Sequence, residues 1–200
     1  MWTLTPPAAG CPRIRRSLAA AVLAACAVLP GVPARTAADA PRAPHVAVAE
    51  RSGVYTVTAR FEVGRSPATA LAVLTDYEGI PRFMPDVRKS LVLERTGHTA
   101  VVEQEAVSRL MMFSRRVHLV LEIAETPGAL TFRDRCGRSF RTYSGAWRVD
   151  RSATGSTITY ELVAQPAFDV PEFLLKRLLR RDAGEMIERL QTEIAAQPHR

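Results

Sequence analysis

Catalysis needs a nucleophile, a base, a metal set or a phosphate cradle, and this 200-residue chain offers few such residues. Its four histidines, His45, His98, His118 and His199, are scattered. There is no H-E-x-x-H pattern, no cysteine pair at zinc spacing, and no glycine-rich phosphate loop. Gly137-Arg138-Ser139 reads as a turn. His118 stands mid-strand in phase with Arg116 and Val120, so it could face a cavity, but a satisfied or surface imidazole is the plainer reading. Glu103 and Glu105 share a strand face with Val101 and Val107, while Ala100, Val102, Gln104 and Ala106 take the other. Turned inward, two carboxylates in apolar surroundings would be acids with raised pKa values. Turned outward they form a solvated face, which is the favoured reading. No catalytic residue, metal ligand or cofactor is assigned.

Apolar residues carry more information. Asp76-Tyr77-Glu78-Gly79-Ile80-Pro81-Arg82-Phe83-Met84-Pro85 is bracketed by prolines and holds Tyr77, Phe83 and Met84. Tyr143 and Trp147 share a strand face, as do Arg141, Gly145 and Val149. Near the C-terminus, Leu175, Leu178, Leu179, Ala183, Met186, Ile187, Leu190 and Ile194 recur at helical spacing. Asp169 with Glu172 has the form of a capping box, and Pro171 suits a first helical turn. Leu110-Met111-Met112-Phe113 lies at a hairpin tip beside Arg109, Arg115 and Arg116, which suits an anionic bilayer surface or a lid. Arg133, Arg135, Arg138 and Arg141 add a basic cluster.

The elements that must position these residues come in a simple order. Val46 to Glu50 and Val54 to Val63 alternate as a hairpin. Ser66-Pro67 starts a helix to about Thr75, and Asp76 can cap a second short turn. Strands are expected over 87–95, 99–108, 113–125, 129–136, 140–150 and 156–164. The long helix then runs from Asp169 to about Ala195. Strands in meander beside one amphipathic helix mean an α+β fold. A helix of that length cannot bury its apolar stripe alone, so a curved antiparallel sheet must grip it.

The N-terminus has an export pattern. Arg13, Arg15 and Arg16 precede an apolar run from Leu18 to Leu29, too short to span a bilayer comfortably, and Val32-Pro33-Ala34 supplies small residues for cleavage. This predicts a signal peptide over 1–34, a flexible linker over 35–44, and a periplasmic or secreted protein. The alternatives are a retained anchor, or a lipobox at Leu23-Ala24-Ala25-Cys26 that would lipidate Cys26. After cleavage Cys136 is the one remaining thiol, so no internal disulfide forms and a quiet thiol is expected. The formal charge of +7 falls by three with Arg13, Arg15 and Arg16. That mild excess permits contact with an anionic membrane but lacks the dense basic stripe of a nucleic-acid binder.

The order of elements and three stretches of wording resemble the START/SRPBCC superfamily, the helix-grip fold. The nearest branch is the polyketide cyclase/dehydrase and coenzyme-Q-binding-protein group. The stretches are Phe61-Glu62-Val63 through Ser66-Pro67 to Pro85, then Ser114-Arg115-Arg116-Val117, then Phe140-Arg141-Thr142-Tyr143-Ser144-Gly145-Ala146-Trp147. The first is similar to a D-Y-x-x-I/Y-P-x-F-x-P signature, the last to F-R-x-x-x-G-x-W. The resemblance covers about residues 45–197. It implies a sheet of about six to seven strands around the C-terminal helix, with two short helices after the first long strand.

The resemblance also implies a cavity between helix and sheet, holding a lipid, an isoprenoid quinone or a polyketide-like molecule. Ligand-lining residues would be Tyr77, Phe83, Met84, Tyr143, Trp147, Leu175, Leu179, Ala183 and Met186, with Leu110, Met111, Met112 and Phe113 as lid or membrane contact. The leading reading is an exported carrier without chemistry of its own. A cyclase or aromatase-like enzyme is the alternative, and it needs Glu103, Glu105, His118 or Tyr143 inside the cavity. A protein-interaction module, with a filled core and an unidentified protein partner, is the third reading.

Overall fold

Period-two alternation decides the first hairpin. Tyr55, Val57, Ala59, Phe61 and Val63 are buried, while Thr56, Thr58, Arg60 and Glu62 are exposed. In the computed structural model, which describes residues 44–110 and 113–198, this strand is β2 (Val54–Val63). It pairs antiparallel with β1 (His45–Arg51) across Ser52-Gly53, both at positive φ. That is the backbone of a two-residue turn whose twist matches the strands it joins. The expected signal peptide (1–34), the linker apart from Pro44, and Met111 and Met112 lie outside the described residues.

Local chemistry starts the next elements. Ser66 caps α1 (Pro67–Leu74), its Oγ accepting from the Thr69 N–H at 3.2 Å, and Pro67 takes the first turn, where no N–H is needed. The Asp76 carboxylate accepts from the Gly79 N–H at 3.2 Å and opens a 3-10 turn over Tyr77–Gly79. That turn runs into α2 (Ile80–Phe83).

Six strands follow: β3 (Val87–Thr96), β4 (Thr99–Leu110), β5 (Phe113–Thr126), β6 (Ala129–Asp134), β7 (Phe140–Ser152) and β8 (Gly155–Pro166). Every neighbouring pair is antiparallel, and the sheet order is β1-β2-β8-β7-β6-β5-β4-β3. Eight strands exceed the six to seven expected. The difference arises because β1 is a full ladder member, all seven of its residues pairing with β2. Register shifts in β3 at Val87/Lys89 and Val92/Glu94, and in β7 at Phe140/Thr142, add the bends of a curved sheet.

Helix α3 (Glu172–Ala196) has 25 residues and spans about 37 Å at ~1.5 Å per residue. It buries Leu175, Ala183, Ile187, Leu190 and Ile194. Ile187 and Ile194 are fully buried, each contributing about 1.5–3 kcal/mol. The capping box does not form. Pro171, extended at φ −56 and ψ 131, is itself the N-cap, which leaves Asp169 two residues too early to reach the first N–H groups. Glu172 pairs instead with Lys176 one turn on. Among the described residues no helix is long and apolar enough to cross a membrane.

Gly145 sits where β6, β7 and β8 approach most closely. A Cβ there would lie 2.2 Å from the Glu161 carbonyl oxygen and 2.6 Å from Phe132 Cζ. Gly145 is therefore a packing requirement of the sheet, with no free volume beside it. Gly145→Ala should cost about 1–3 kcal/mol through overpacking. A urea melt checks this, and an unchanged midpoint would contradict the close approach.

Candidate functional site

The apolar stripe of α3 is wider than the surface beneath it. One flank, with Ile187 and Ile194, joins the buried core that includes Val57, Ala59 and Phe61. The other flank faces the inner side of the sheet across a gap. That gap is a cavity of about 950 Å³. Its helix wall is Leu175, Leu178, Leu179, Ala183 and Met186. The sheet supplies Val117, Leu119, Leu121 and Ile123 from β5, with Tyr143, Trp147, Tyr160 and Leu162 from β7 and β8. Tyr77, Ile80, Phe83 and Met84 close one end.

All nine residues expected to line a ligand site, namely Tyr77, Phe83, Met84, Tyr143, Trp147, Leu175, Leu179, Ala183 and Met186, border this cavity. Sequence reasoning missed the β5 wall, although its alternation about His118 carried the signal. It also missed Tyr160, which meets Trp147 with ring centroids 4.3 Å apart. Ser108 and Asp182 were missed for a different reason. They are 74 positions apart in the chain, and their 3.1 Å hydrogen bond exists only in the folded protein.

Polar groups in the cavity have defined states. Tyr143 and Tyr160 influence one another, and burial raises both pKa values, that of Tyr143 to about 12. Both therefore remain phenols and serve as hydrogen-bond donors. The Tyr77 pKa is raised as well, first by burial and then by its bond to Glu125, where the hydroxyl donates to Oε1 at 2.8 Å. Arg95 reaches the same carboxylate at 3.3 Å and lies 5.5 Å from the Tyr77 ring centroid. This cluster pins the proline-bracketed segment to β3 and β5.

At the mouth the cavity lining turns polar. The Ser108 hydroxyl donates to Asp182, and Arg181 holds the other oxygen of that carboxylate at 2.7 Å while also donating to the Arg109 carbonyl. These bonds bridge α3 to the end of β4. Burial raises the Asp182 pKa, and the bonds from Arg181 and Ser108 oppose that rise. Arg109 pairs with Asp86 at 2.9 Å, and Arg115 stacks over the Phe168 ring at 3.6 Å.

Glu103, Glu105 and His118 lie on the outer face of the sheet, outside the cavity, because Val102, Gln104, Leu119 and their in-phase neighbours occupy the inner one. His118 Nε2 is 3.9 Å from Glu103 Oε1, and Nδ1 is 4.0 Å from Glu105 Oε1. The hydrogen bond from Lys89, at 2.5 Å, lowers the Glu103 pKa, the reverse of what an inward carboxylate would show. Their donor atoms lie within 4.8 Å of one another, the spacing a metal needs, but the Lys89 ammonium already holds Glu103.

Cys136 is exposed, with Sγ 3.7 Å from the Asp134 carboxylate. Arg133 and Arg135 are both tied to Glu122, at 3.0 and 3.5 Å, so that single carboxylate offsets one of the cluster's four positive charges. At the hairpin tip, β4 and β5 pair as far as Leu110 and Phe113. Met111 and Met112 lie outside the described residues.

The interaction-module alternative required a filled core, and the cavity speaks against it. Comparison with known proteins gives the family and agrees with the fold. The family model described as "Polyketide cyclase / dehydrase and lipid transport" matches residues 63–191. No curated protein matches the chain. Among solved structures, a START superfamily protein from Mycobacterium smegmatis is similar with a TM-score of 0.61 at 15% identity, over 70% of this chain and 96% of that one. The STAR-related lipid transfer protein of Xanthomonas axonopodis has a TM-score of 0.56 at 18% identity, over 76% of this chain and 99% of that one. The Zhui aromatase/cyclase from Streptomyces sp. R1128 has a TM-score of 0.55 at 16% identity, over 75% and 94%. At these identities the structures speak to the helix-grip fold alone, while the family match spans well over half of the sequence. The chain belongs to the polyketide cyclase/dehydrase and lipid-transport family.

Proposed function

We propose that this protein is an exported carrier that holds an apolar ligand between sheet and helix, without chemistry of its own. The observation that supports it is the lining: the walls that α3, β5, β7 and β8 give to about 950 Å³ are mainly aliphatic and aromatic side chains. Cavities of that size and character take lipid-sized molecules. The ligand classes that suit it are a lipid, an isoprenoid quinone or a polyketide-like molecule. Export rests on the pattern of Arg13 to Ala34, and it places the carrier in the periplasm or outside the cell. Leu110, Met111, Met112 and Phe113, with Arg109, Arg115 and Arg116 beside them, would rest on an anionic bilayer during loading.

A cyclase or aromatase-like enzyme is the second reading, and the Tyr143–Tyr160 pair favours it. Two buried phenols can polarise a ligand carbonyl, although a phenol held protonated cannot act as a base near neutral pH. Neither Glu103, Glu105 nor His118 is placed to help.

Native mass spectrometry of the exported protein, followed by solvent extraction, tests the carrier reading. An apolar molecule should copurify with the parent and be lost from Ala183→Phe, which fills the cavity from its helix wall. Ligand retained at parental occupancy in the folded variant would contradict binding between sheet and helix. Changing Met111 and Met112 to serine should weaken flotation with anionic vesicles, and equal flotation would remove the membrane contact.

The Ser108–Asp182 bridge gives a pH test. Burial makes the folded chain hold the Asp182 proton more tightly than the unfolded chain does. The stabilisation is therefore present at acid pH and lost as pH rises through the raised value. Asp182→Asn should gain in Tm relative to the parent as pH rises from about 4 toward neutral. A difference that stays constant across this range would contradict the assignment.

A further inference from the structure

The cations of α3 are not all treated alike. Lys176 is held by Glu172, Arg181 by Asp182 and Arg189 by Glu185. Arg177 and Arg180 are exposed, and among the described residues neither side chain has a carboxylate or a hydrogen-bond partner. On the same helix stands Phe173, which is 71% exposed and so the most exposed large apolar side chain among the described residues.

Helical geometry puts these three residues together. At 3.6 residues per turn, Phe173, Arg177 and Arg180 fall within about 60° of one another, on the side of α3 turned away from the cavity-lining Leu175, Leu178 and Leu179. Gly184 continues the stripe, and a Cβ there would find nothing within 4 Å, so no neighbouring element covers that side. Along α3 the next carboxylate without an ion pair is Glu188, about 12 Å beyond Arg180 at ~1.5 Å per residue. Two positive charges therefore stand uncompensated beside an exposed ring. A single ring offers far less apolar area than the roughly 800 Å² a side of a stable protein interface. One aromatic set among cations is enough at the surface of an anionic bilayer, where ring and charge meet apolar and aqueous surroundings within a few ångströms.

We propose that this side of α3 docks on an anionic phospholipid bilayer, with Phe173 entering the head-group layer and Arg177 and Arg180 meeting its phosphates. The docking face deepens the carrier reading and rests on it for its purpose, since the docked helix is also a wall of the cavity. It is separate from the β4–β5 tip, which lies beside α3 where Arg181 donates to the Arg109 carbonyl.

Flotation of the exported protein with phosphatidylglycerol vesicles, against phosphatidylcholine vesicles, tests it. The variants are Phe173→Ser and the pair Arg177→Gln with Arg180→Gln, all with Met111 and Met112 left in place. The three side chains are exposed, so the melting curves should match the parent's. The parent should prefer the anionic vesicles. Each lost arginine should weaken partitioning roughly fivefold at low salt, and this loss should fade at about 1 M salt. Phe173→Ser should weaken it about tenfold at either salt. Equal binding of the parent to both lipids, or parental binding by a variant lacking all three side chains, would overturn the docking face. Sensitivity to the arginines with none to Phe173 would also overturn it, and would point to an acidic protein surface as the partner. A parent that fails to float yet copurifies with an apolar molecule would overturn the docking face and leave the carrier reading standing. A parent that floats through Phe173 and carries no ligand would do the reverse.

Discussion

Helix α3 carries more apolar surface than its neighbours can cover. Ile187 and Ile194 are sealed completely, while Leu178, Leu179 and Met186, on the adjoining flank, meet open space. The whole architecture follows from that imbalance. The sheet must curve far enough to shelter the uncovered flank, yet stand off far enough to leave it unfilled. A well-packed core would have closed the gap, since interiors normally tolerate few voids larger than a water molecule. Here register shifts bend β3 and β7, and the aromatic rings of Phe132, Tyr143 and Trp147 border the gap.

Polar bonds hold the rim where apolar packing cannot. Tyr77, Glu125 and Arg95 clamp the proline-bracketed segment at one end. Ser108, Asp182 and Arg181 join helix to strand at the mouth. In the clamp the Tyr77 side chain is buried, while Arg95 is as exposed as Arg181 is at the mouth. A ligand passing the mouth has to part a few solvent-screened bonds, which is a low barrier compared with separating α3 from β1 and β2.

Much of this was legible in the chain. The alternation of Tyr55 to Val63 and the spacing of Leu175 to Ile194 report burial on one face, which is a local property. The Ser66-Pro67 and Asp76 caps are local as well, and both form as read. The features that were not legible depend on distant partners or on backbone detail. Asp169 and Glu172 had the composition of a capping box, but the extended Pro171 moved the helix start past Asp169. Glu103 and Glu105 were placed correctly on one face, but which face turns inward is decided by the neighbouring strands.

Trp147 offers the most direct test of the cavity. The chain has two tryptophans, Trp2 and Trp147. A full-length Trp2→Phe variant therefore reports from the cavity wall alone. Its fluorescence should be quenched on titration with a fatty acid brominated mid-chain, saturating near one ligand per protein, because the bromine would sit in contact with the indole. Unquenched emission from the folded protein at saturating lipid, or quenching that rises linearly without a plateau, would contradict a ligand site between sheet and helix.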